Sequence, residues 1–525
     1  MSLLHLPAEL LHTVCLFCSK NGIESLRLTC QVLQRIADEH LLLEIVTCFE
    51  YEDLCRVSEI ANHASPLLKK NLRSFLFQAD AFPADNHWPR HQWIHERRKF
   101  FRGVEEETKE FMRELRTRIK TKRNPRLLEA LMRYYQRSID PAVLLRPEKI
   151  GSHQQYINLA KEQEELRKRG FSKRILQDLF TACPNITSVA INGGHRLRRN
   201  AGLTNLAFLR SLTIPHCHQE ETLAYAVKTT LSAAHNSGTK LESLAIGGIT
   251  PVFVRPTELI DDDSENNITI GIPKDHLYEL TSQLKTLRLM FLGEHDLQDD
   301  ATEFMIIDFH SLTAQFAEGH LVSWLENCTQ IQDLRLDLPY APYPHWRVPF
   351  EHFLGDNLHF PSLRVLHLQS FQTQAERLAE FLLRHKASLV ELELSDIHLS
   401  LGSWPDCLAQ FAGKLEKLQR AKVTGFLTSF NGTDEWVTLD FYSSRVEPSA
   451  TLERSIIEGG EIVLPQPVIN VDVETDSSES EDSDGDEDDH EAEEEDDEEE
   501  QEDDDDDALE QLVLVADENG FVELE

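Results

Sequence analysis

The sequence predicts an α/β protein in four consecutive parts. Residues 1–49 are predicted to form a small helical unit, residues 50–182 a helical and basic region, residues 183–465 an irregular array of strand–helix repeats, and residues 466–525 a disordered acidic tail with a short apolar C-terminal segment. Three observations predict this division. Apolar residues recur at helical spacing near the N-terminus, a short string with three apolar positions recurs from residue 186 onward, and residues 472–507 hold 26 Asp or Glu in 36 positions.

The N-terminal unit is predicted from two short amphipathic stretches, enough for about three short helices. Pro7 suits a first helical turn because its missing N–H would have no partner there, and Asn21-Gly22 is a turn signal between the stretches. The apolar positions are Leu10, Leu11 and Val14 in the first stretch and Leu26, Cys30, Leu33 and Ile36 in the second. A unit of about 45 residues is close to the lower size for an independent core. We therefore expect its apolar face to pack on a partner or on the rest of the chain.

Two strings in this unit resemble those of a known family. Leu6-Pro7-Ala8-Glu9-Leu10-Leu11 and the later Leu26-Arg27-Leu28-Thr29-Cys30 with Leu33 are similar to the F-box of proteins from filamentous fungi. The segment 15–22 departs from the Leu-rich run that is more usual in the family, and an ordinary helical hairpin is the alternative. The resemblance implies that the unit binds a Skp-type adaptor and, through it, the cullin of a ubiquitin ligase. The residues implied in the adaptor contact or its supporting core are Leu6, Pro7, Leu10, Leu11, Val14, Leu26, Leu28 and Leu33.

Charge is concentrated at one end of the chain. The net charge is −39, but residues 472–525 contain 31 acids and no Lys or Arg, which leaves 60 acids against 52 bases elsewhere. No signal-peptide pattern and no apolar run of membrane-spanning length is present, so we expect an intracellular protein of the cytoplasm, the nucleus or both. Nine scattered cysteines predict no disulfide framework, and Cys15-x-x-Cys18 is interpreted as a pair of structural thiols rather than a redox or zinc motif.

The region 50–182 is predicted to be mainly helical, over 51–61, 105–122, 125–137 and 156–180. Residues 90–174 contain 23 Lys or Arg against 12 Asp or Glu, which is compatible with a nucleic-acid surface, and residues 116–123 could serve as a nuclear import signal. Glutamates interleave with the bases, and no aromatic residues are spaced for base stacking. A solvated helical face is therefore favoured over nucleic-acid binding.

The repeat array is predicted from the string apolar-x-x-apolar-x-apolar. It begins at Ile186, Leu209, Leu241, Leu284, Ile331, Leu363 and Leu389, with a degenerate copy at Leu418. The string is similar to the strand core of leucine-rich repeats, whose strand–helix units stack into an arc with a parallel sheet on its inner side. The steps of 23 to 47 residues require insertions, since regular repeats take about 20 to 29. A doubly wound α/β sheet is the alternative.

The positions between the apolar ones are predicted to face the inner side of this arc. Arg288 and Arg335 would then be adjacent like charges, compensated by Asp333, Asp337 or the anion of a ligand. The alternative is a solvated sheet face with internal ion pairs. A Pro- and aromatic-rich insertion at 338–350 is interpreted either as a rim loop that anchors a partner or as a cover for the array. The candidate target-binding residues are Arg288, Asp333, Arg335, Asp337, His367, Glu391 and Glu393, with Tyr343 and Trp346 in the insertion.

The tail holds too little apolar sequence to fold, and Ser478 and Ser483 precede acids at the spacing that acidophilic kinases prefer. No Gly-rich phosphate loop, nucleophile elbow or metal-spaced triad is apparent in the sequence. The sequence therefore predicts a non-catalytic substrate receptor of a ubiquitin ligase, with an unknown protein as its target, no cofactor and no small-molecule substrate. The alternative is an acidic-tailed nuclear scaffold or histone-binding protein.

Overall fold

Two sheets built mainly from parallel strands organise the part of the chain that the structure describes. The structure is a computed structural model, and it describes residues 6–18, 20–41, 44–79, 81–82, 89–90, 93, 153–192, 220–254, 272–291, 309–339, 347–430, 435–440, 448–462, 464 and 468–471. Within these ranges the protein is mixed α/β, as predicted. The predicted helices at 105–122 and 125–137, the insertion residues Tyr343 and Trp346, and the tail serines Ser478 and Ser483 lie outside the described residues.

The larger sheet has nine strands, all parallel, and their order in the sheet follows their order in the chain. A doubly wound sheet reverses its strand order at a switch point, and this sheet has no reversal. Its strands are β1 Glu44–Cys48, β2 Ser74–Gln78, β3 Ser188–Asn192, β4 Ser243–Ile249, β5 Thr286–Phe291, β6 Asp333–Asp337, β8 Val365–Gln369, β10 Glu391–Ser395 and β12 Arg420–Thr424.

A second sheet of six strands, which the repeat pattern did not predict, follows the later strands of the first. Its members are β7 Val348–Pro349, β9 Phe371–Gln374, β11 His398–Leu401, β13 Phe426–Phe430, β14 Glu435–Asp440 and β15 Val468–Val471. The first four are parallel, and β14 and β15 continue the sheet antiparallel. Three times the chain turns from the first sheet into the second through one residue with positive φ, at Ser370, Asp396 and Gly425.

Helices connect most of the parallel strands. They are α1 Ala8–Phe17, α2 Lys20–Arg27, α3 Gln31–Leu41, α4 Tyr51–His63, α5 Pro66–Asn71, α6 His153–Lys168, α7 Phe171–Ala182, α8 Glu220–Asn236, α9 Lys274–Thr281, α10 Phe309–Ala317, α11 His320–Asn327, α12 Phe350–Phe353, α13 Ala375–Arg384, α14 Trp404–Phe411 and α15 Pro448–Glu458. The predicted helix at 51–61 is confirmed as α4. The stretch 156–180 was predicted as one helix but forms two, because Gly170 adopts φ +58° between them.

Local sequence explains several helix boundaries. Ser403 caps α14 by accepting a hydrogen bond from Asp406 N, and Pro405 lies in the first turn where no N–H is needed. In α13 the apolar residues Leu378, Phe381 and Leu382 recur on one face and are buried. That face packs into the core because a helix with one apolar stripe stabilises a fold by burying it.

The core lies against one face of the nine-stranded sheet, where alternate strand residues point inward. The second and third apolar residues of the repeated string lie inside the strand and are buried in every described strand of the array. Among the second residues, Leu244, Leu287, Leu334 and Leu366 are fully buried. Phe371, Leu399 and Leu427 of the second sheet belong to the same core. Each such side chain contributes about 1.5 to 3 kcal/mol of transfer free energy.

The structure differs from the prediction at two boundaries and in the pairing of one predicted strand. The parallel sheet begins at Glu44, so β1 and β2 lie in residues that were predicted to be helical. The string at Leu209 predicted a strand between β3 and β4, but β3 pairs directly with β4, and residues 193–219 lie outside the described residues. The tail was predicted to begin at 466, but β15 pairs with β14 through Val471. In all three cases the outcome depends on pairing between strands that are distant in sequence.

The helices in the described ranges are too short, too polar or both to cross a bilayer.

Candidate functional site

The first candidate surface is built on the three N-terminal helices. Leu11 and Cys15 of α1 and Leu33 and Ile36 of α3 form a small buried cluster, against which Leu6, Leu26 and Cys30 pack partly buried. Burial raises the pKa of the Cys15 thiol. This cluster is separate from the main core of the protein. Its small size leaves much of the apolar sequence of these helices unburied.

Polar contacts hold the three helices together. His12 Nδ1 of α1 lies 3.0 Å from His40 Nε2 of α3. Arg27 at the end of α2 forms an ion pair with Asp38 of α3. The predicted turn at Asn21-Gly22 is wrong, because both residues lie inside α2. The chain leaves the helical conformation after Phe17 and again at Leu28 and Thr29. Thr29 Oγ1 donates a hydrogen bond to Leu26 O there, which stabilises the turn without glycine.

Four large apolar side chains stand exposed on this unit: Leu10 at 50%, Phe17 at 87%, Leu28 at 89% and Val32 at 56%. Across all the described residues only seven large apolar side chains are exposed, so more than half of them lie within residues 10–32. Large apolar side chains that stay exposed on a folded unit are candidates for contact with a partner. We call Leu10, Phe17, Leu28 and Val32 the N-terminal apolar surface.

The residues predicted for adaptor contact therefore divide into two groups. Leu11 and Leu33 are buried, and Leu6, Val14 and Leu26 are half-buried, so these five support the unit from within. Pro7, Leu10 and Leu28 are exposed. Phe17 and Val32 were missed, although the signal was present, since Phe17 follows Leu10 by seven residues, close to two helical turns.

The second candidate surface is the face of the nine-stranded sheet opposite the core. We call the alternate residues of β5, β6, β8, β10 and β12 on this side the open face. The register places their central residues in one row across the sheet. In order, the row is Arg288, Arg335, His367, Glu393 and Lys422.

Arg288 and Arg335 are direct neighbours in this row, as predicted. Asp333 forms a bidentate ion pair with the Arg335 guanidinium, in which Nε is 2.9 Å from Oδ1 and Nη2 is 3.1 Å from Oδ2. These hydrogen bonds and the charge of Asp333 raise the pKa of Arg335. Arg288 has no equivalent partner, because its closest carboxylate oxygen in the described residues, Asp337 Oδ2, is 3.9 Å away.

His367 lies between two carboxylates from the neighbouring strands. Its Nε2 is 3.0 Å from Asp337 Oδ1, and its Nδ1 is 3.0 Å from Glu393 Oε2. Burial acts to lower the pKa of His367, but the contacts and charges of Asp337 and Glu393 outweigh it, and the pKa lies above its usual value. Lys422 forms an ion pair with the other side of Glu393. Burial acts to raise the pKa of Glu393, but Lys422 and His367 hold it below its usual value.

The raised pKa of His367 predicts a pH dependence of stability. The charged imidazole is favoured in the folded state, so its contribution is fully present below the unfolded pKa of about 6.5 and is lost as pH rises through the higher folded value. We expect His367→Gln to reduce the free energy of unfolding more at about pH 6 than at about pH 9. Urea denaturation of the wild type and the variant at both pH values measures the difference, and an equal reduction would contradict a charged His367 between Asp337 and Glu393.

All seven strand residues of the predicted target-binding set lie on the open face: Arg288, Asp333, Arg335, Asp337, His367, Glu391 and Glu393. Lys422 also belongs to this network through Glu393, and Arg420 lies 3.6 Å from Glu391. The face is therefore a network of opposite charges, in which the pair of Arg288 with Asp337 has the longest distance, 3.9 Å. Such a face offers directional polar contacts to a macromolecule.

The described residues contain no cluster of three or more His, Cys, Asp or Glu that could hold a metal ion. The geometry thus offers two surfaces, one apolar on α1–α3 and one charged on the sheet. Comparison with known proteins finds no family model that matches this chain and no significantly similar curated protein.

Proposed function

We propose that this protein is the substrate-recognition subunit of a cullin-based ubiquitin ligase. The N-terminal helices act as an F-box and bind a Skp-type adaptor, and the open face of the sheet binds the target protein. The protein itself performs no chemistry, and transfer of ubiquitin is promoted by the proximity that the complex supplies. The sheet and its helices act as a leucine-rich-repeat solenoid that carries the target.

The observation that carries the proposal is the N-terminal apolar surface. Three helices hold a minimal core with Leu11 and Leu33, and leave Leu10, Phe17 and Leu28 exposed on the same unit. Removing such side chains from water is a major source of binding free energy at an interface. The strings that resemble the fungal F-box include Leu10 and Leu28, whereas Phe17 lies in the segment that departs from the family. The exposure of Leu10 and Leu28 thus supports the partner that the resemblance implies.

The sheet supports the second half of the proposal. Its strands follow one another in parallel without a switch point, and the repeated apolar string supplies the inward residues of most of them. This is the arrangement expected when strand–helix units stack in chain order. Charged side chains on the opposite face are then available to a bound target.

Substitution on the N-terminal apolar surface tests the adaptor contact. We expect the double variant Leu10→Glu and Leu28→Glu to weaken capture by a recombinant Skp-type adaptor at least tenfold, a loss of about 1.4 kcal/mol or more. Both side chains are exposed, so the substitutions leave the buried cluster of Leu11 and Leu33 intact. Biolayer interferometry with immobilised adaptor measures the dissociation constant.

The matched control is Leu401→Glu, because Leu401 is also an exposed leucine, at 63%, but lies in β11 of the second sheet. We expect this variant, and a chain that lacks residues 472–525, to bind the adaptor like the wild type. Binding that survives the double variant, or that is absent in the wild type, would refute the F-box assignment. Loss of binding on removal of the tail alone would instead favour an acidic-tailed binding protein.

A further inference from the structure

Arg288 has the longest ion-pair distance on the open face, since its nearest described carboxylate oxygen, Asp337 Oδ2, is 3.9 Å away. We propose that Arg288, with Arg335 beside it, binds an anionic side chain of the target protein, either a carboxylate or a phosphoryl group. This inference rests on the proposed function in one respect, namely that the anionic group belongs to a target protein. The site itself is argued from the contacts of Arg288.

Within the described part of the chain, Arg288 makes fewer hydrogen bonds than a guanidinium normally does. Its Nε is buried and has no acceptor among the described residues, although the side chain as a whole is 34% exposed. Its Nη2 lies 3.3 Å from the Met290 sulfur, which is a weak acceptor. Asp337 Oδ2, at 3.9 Å, is beyond hydrogen-bond distance. Among the described residues, this partly buried cation thus has no carboxylate within hydrogen-bond distance.

The carboxylates of the neighbouring strands are already engaged. Asp333 binds Arg335 through both of its oxygens, and Asp337 faces His367 at 3.0 Å. Farther along the row, Glu393 lies between His367 and Lys422. Asp337 is the one described carboxylate within 4 Å of Arg288, and at 3.9 Å it does not reach hydrogen-bond distance. An anion from another molecule would supply the missing acceptor.

The side of Arg288 away from Arg335 is lined by small residues. The register pairs Arg288 with Ala245 of β4, and Ala245 with Ala190 of β3. Gly247, two residues after Ala245, has no side chain at all and is paired with Met290. The guanidinium therefore lies between strands with small side chains, β3 and β4, and strands with charged side chains, which begin at β6.

The chemistry of this border fits an oxyanion. A guanidinium presents parallel N–H groups that match the two oxygens of a carboxylate or phosphate. Arg335 lies on the next strand, and neighbouring strands are about 4.8 Å apart, so its guanidinium, partly offset by Asp333, adds to the attraction. Arginines that desolvate on binding are among the residues that dominate protein interfaces.

A peptide library tests the site with defined probes. Degenerate peptides with phosphoserine, glutamate, serine or lysine at the central position are arrayed and probed with the full-length chain. We expect the phosphoserine or glutamate peptides to be retained at least tenfold more than the serine and lysine peptides, and the stronger of the two identifies the group. Arg288→Gln should reduce this retention to the serine level.

The matched control is Arg420→Gln. Arg420 is an open-face arginine four strands away, about 19 Å along the sheet, and it already lies 3.6 Å from Glu391. It should leave the preference unchanged. Equal retention of all peptides, a preference for lysine, or a preference that persists in Arg288→Gln would overturn the site. Adaptor binding is measured on the same protein preparations. Because adaptor binding depends on Leu10 and Leu28 and peptide binding on Arg288, the two can fail independently and are told apart.

A stability measurement separates a binding role of Arg288 from a structural one. Arg288→Met keeps the aliphatic stem and removes a charge that repels Arg335, so we expect an unchanged or higher Tm. The comparison variant is Arg377→Met, since Arg377 lies 2.6 Å from Glu351 and 2.9 Å from Asp356 and should show a lower Tm. A fall in Tm for Arg288→Met equal to that for Arg377→Met would make Arg288 a structural residue and sink the proposal.

Discussion

Gly425→Ala is expected to lower the free energy of unfolding by about 3 to 5 kcal/mol. Gly425 turns the chain from β12 into β13 with φ +77°, a conformation that an L side chain rarely adopts. A Cβ at this position would lie 2.7 Å from Asp396 Oδ2 and closer still to Oδ1. Asp396 cannot easily move, because its carboxylate accepts hydrogen bonds from Phe426 N and Ser395 Oγ, at 2.9 and 2.7 Å.

The control for Gly425→Ala is Gly238→Ala. Gly238 has φ +71°, but a Cβ there would meet nothing within 4 Å, so this variant reports the backbone strain alone, about 1 to 2 kcal/mol. Guanidinium denaturation measures both variants. Adding Asp396→Gly removes the carboxylate, and the double variant should lose less stability than the sum of the two single changes. Equal losses of unfolding free energy for Gly425→Ala and Gly238→Ala would mean that the Asp396 carboxylate does not lie against Gly425.

Much of the larger sheet was predictable because its strands are short and repeat one pattern. In Leu284-x-x-Leu287-x-Leu289 the two inward residues of β5 are separated by an outward one, and the preceding leucine is buried just before the strand. The same signal was overlooked in β2, where Leu72, Phe75 and Phe77 fit the string and are all fully buried. The string at Leu209 fits equally well, yet β3 pairs with β4. A pattern of three residues does not determine pairing between distant segments.

The second sheet was not predictable from this pattern. Its strands have two to six residues, and β9, Phe371–Gln374, has a sequence in which polar residues dominate. The turns that lead into it carry no common marker, since Ser370 and Asp396 adopt positive φ without being glycine. Backbone hydrogen bonds between successive turns, such as Ser370 N to Ser395 O at 3.1 Å, stabilise these conformations. Such bonds depend on stacking of the units and leave no local trace in the sequence.

The candidate sites were predictable to different depths. Strand periodicity placed Arg288 beside Arg335, because residues at equal positions in neighbouring strands face the same side. Periodicity did not show that Asp337 faces His367 at 3.0 Å while remaining 3.9 Å from Arg288, since that choice depends on side-chain rotamers. In α1, Leu10 and Leu11 are consecutive and equally apolar, and only packing shows that Leu11 is buried and Leu10 exposed.

His385 is expected to make the protein lose about 3 kcal/mol of stability as pH falls from about 6.5 to 4. The side chain, at the end of α13, is only 1% exposed. Its Nδ1 donates a hydrogen bond to Phe381 O at 2.8 Å, and its Nε2 accepts one from Phe360 N at 3.0 Å. The neutral imidazole is thus fully satisfied. Burial, with smaller effects of His359 and Arg384, lowers the pKa of His385 to about 4.

The sign follows from where the proton binds. Between pH 6.5 and 4 the unfolded chain binds a proton at His385 and the folded chain does not, so acid favours unfolding over this range and the effect levels off below pH 4. His385→Gln removes the titrating group. This variant should be less stable than the wild type at pH 7 because Phe360 N–H and Phe381 O lose their partner. Its deficit should shrink by about 2 to 3 kcal/mol at pH 4.5.

Urea denaturation at the two pH values measures this deficit, and the variant at His367 provides an internal contrast. His367 has a raised pKa, so its stabilising contribution is lost above about pH 6.5, whereas that of His385 is lost below it. The two substitutions should therefore change the pH profile at opposite ends. A deficit for His385→Gln that is the same at pH 7 and 4.5 would show that this imidazole can accept a proton in the folded protein. That outcome would contradict the buried hydrogen bond from Phe360 N, since Nε2 cannot accept this bond once it is protonated.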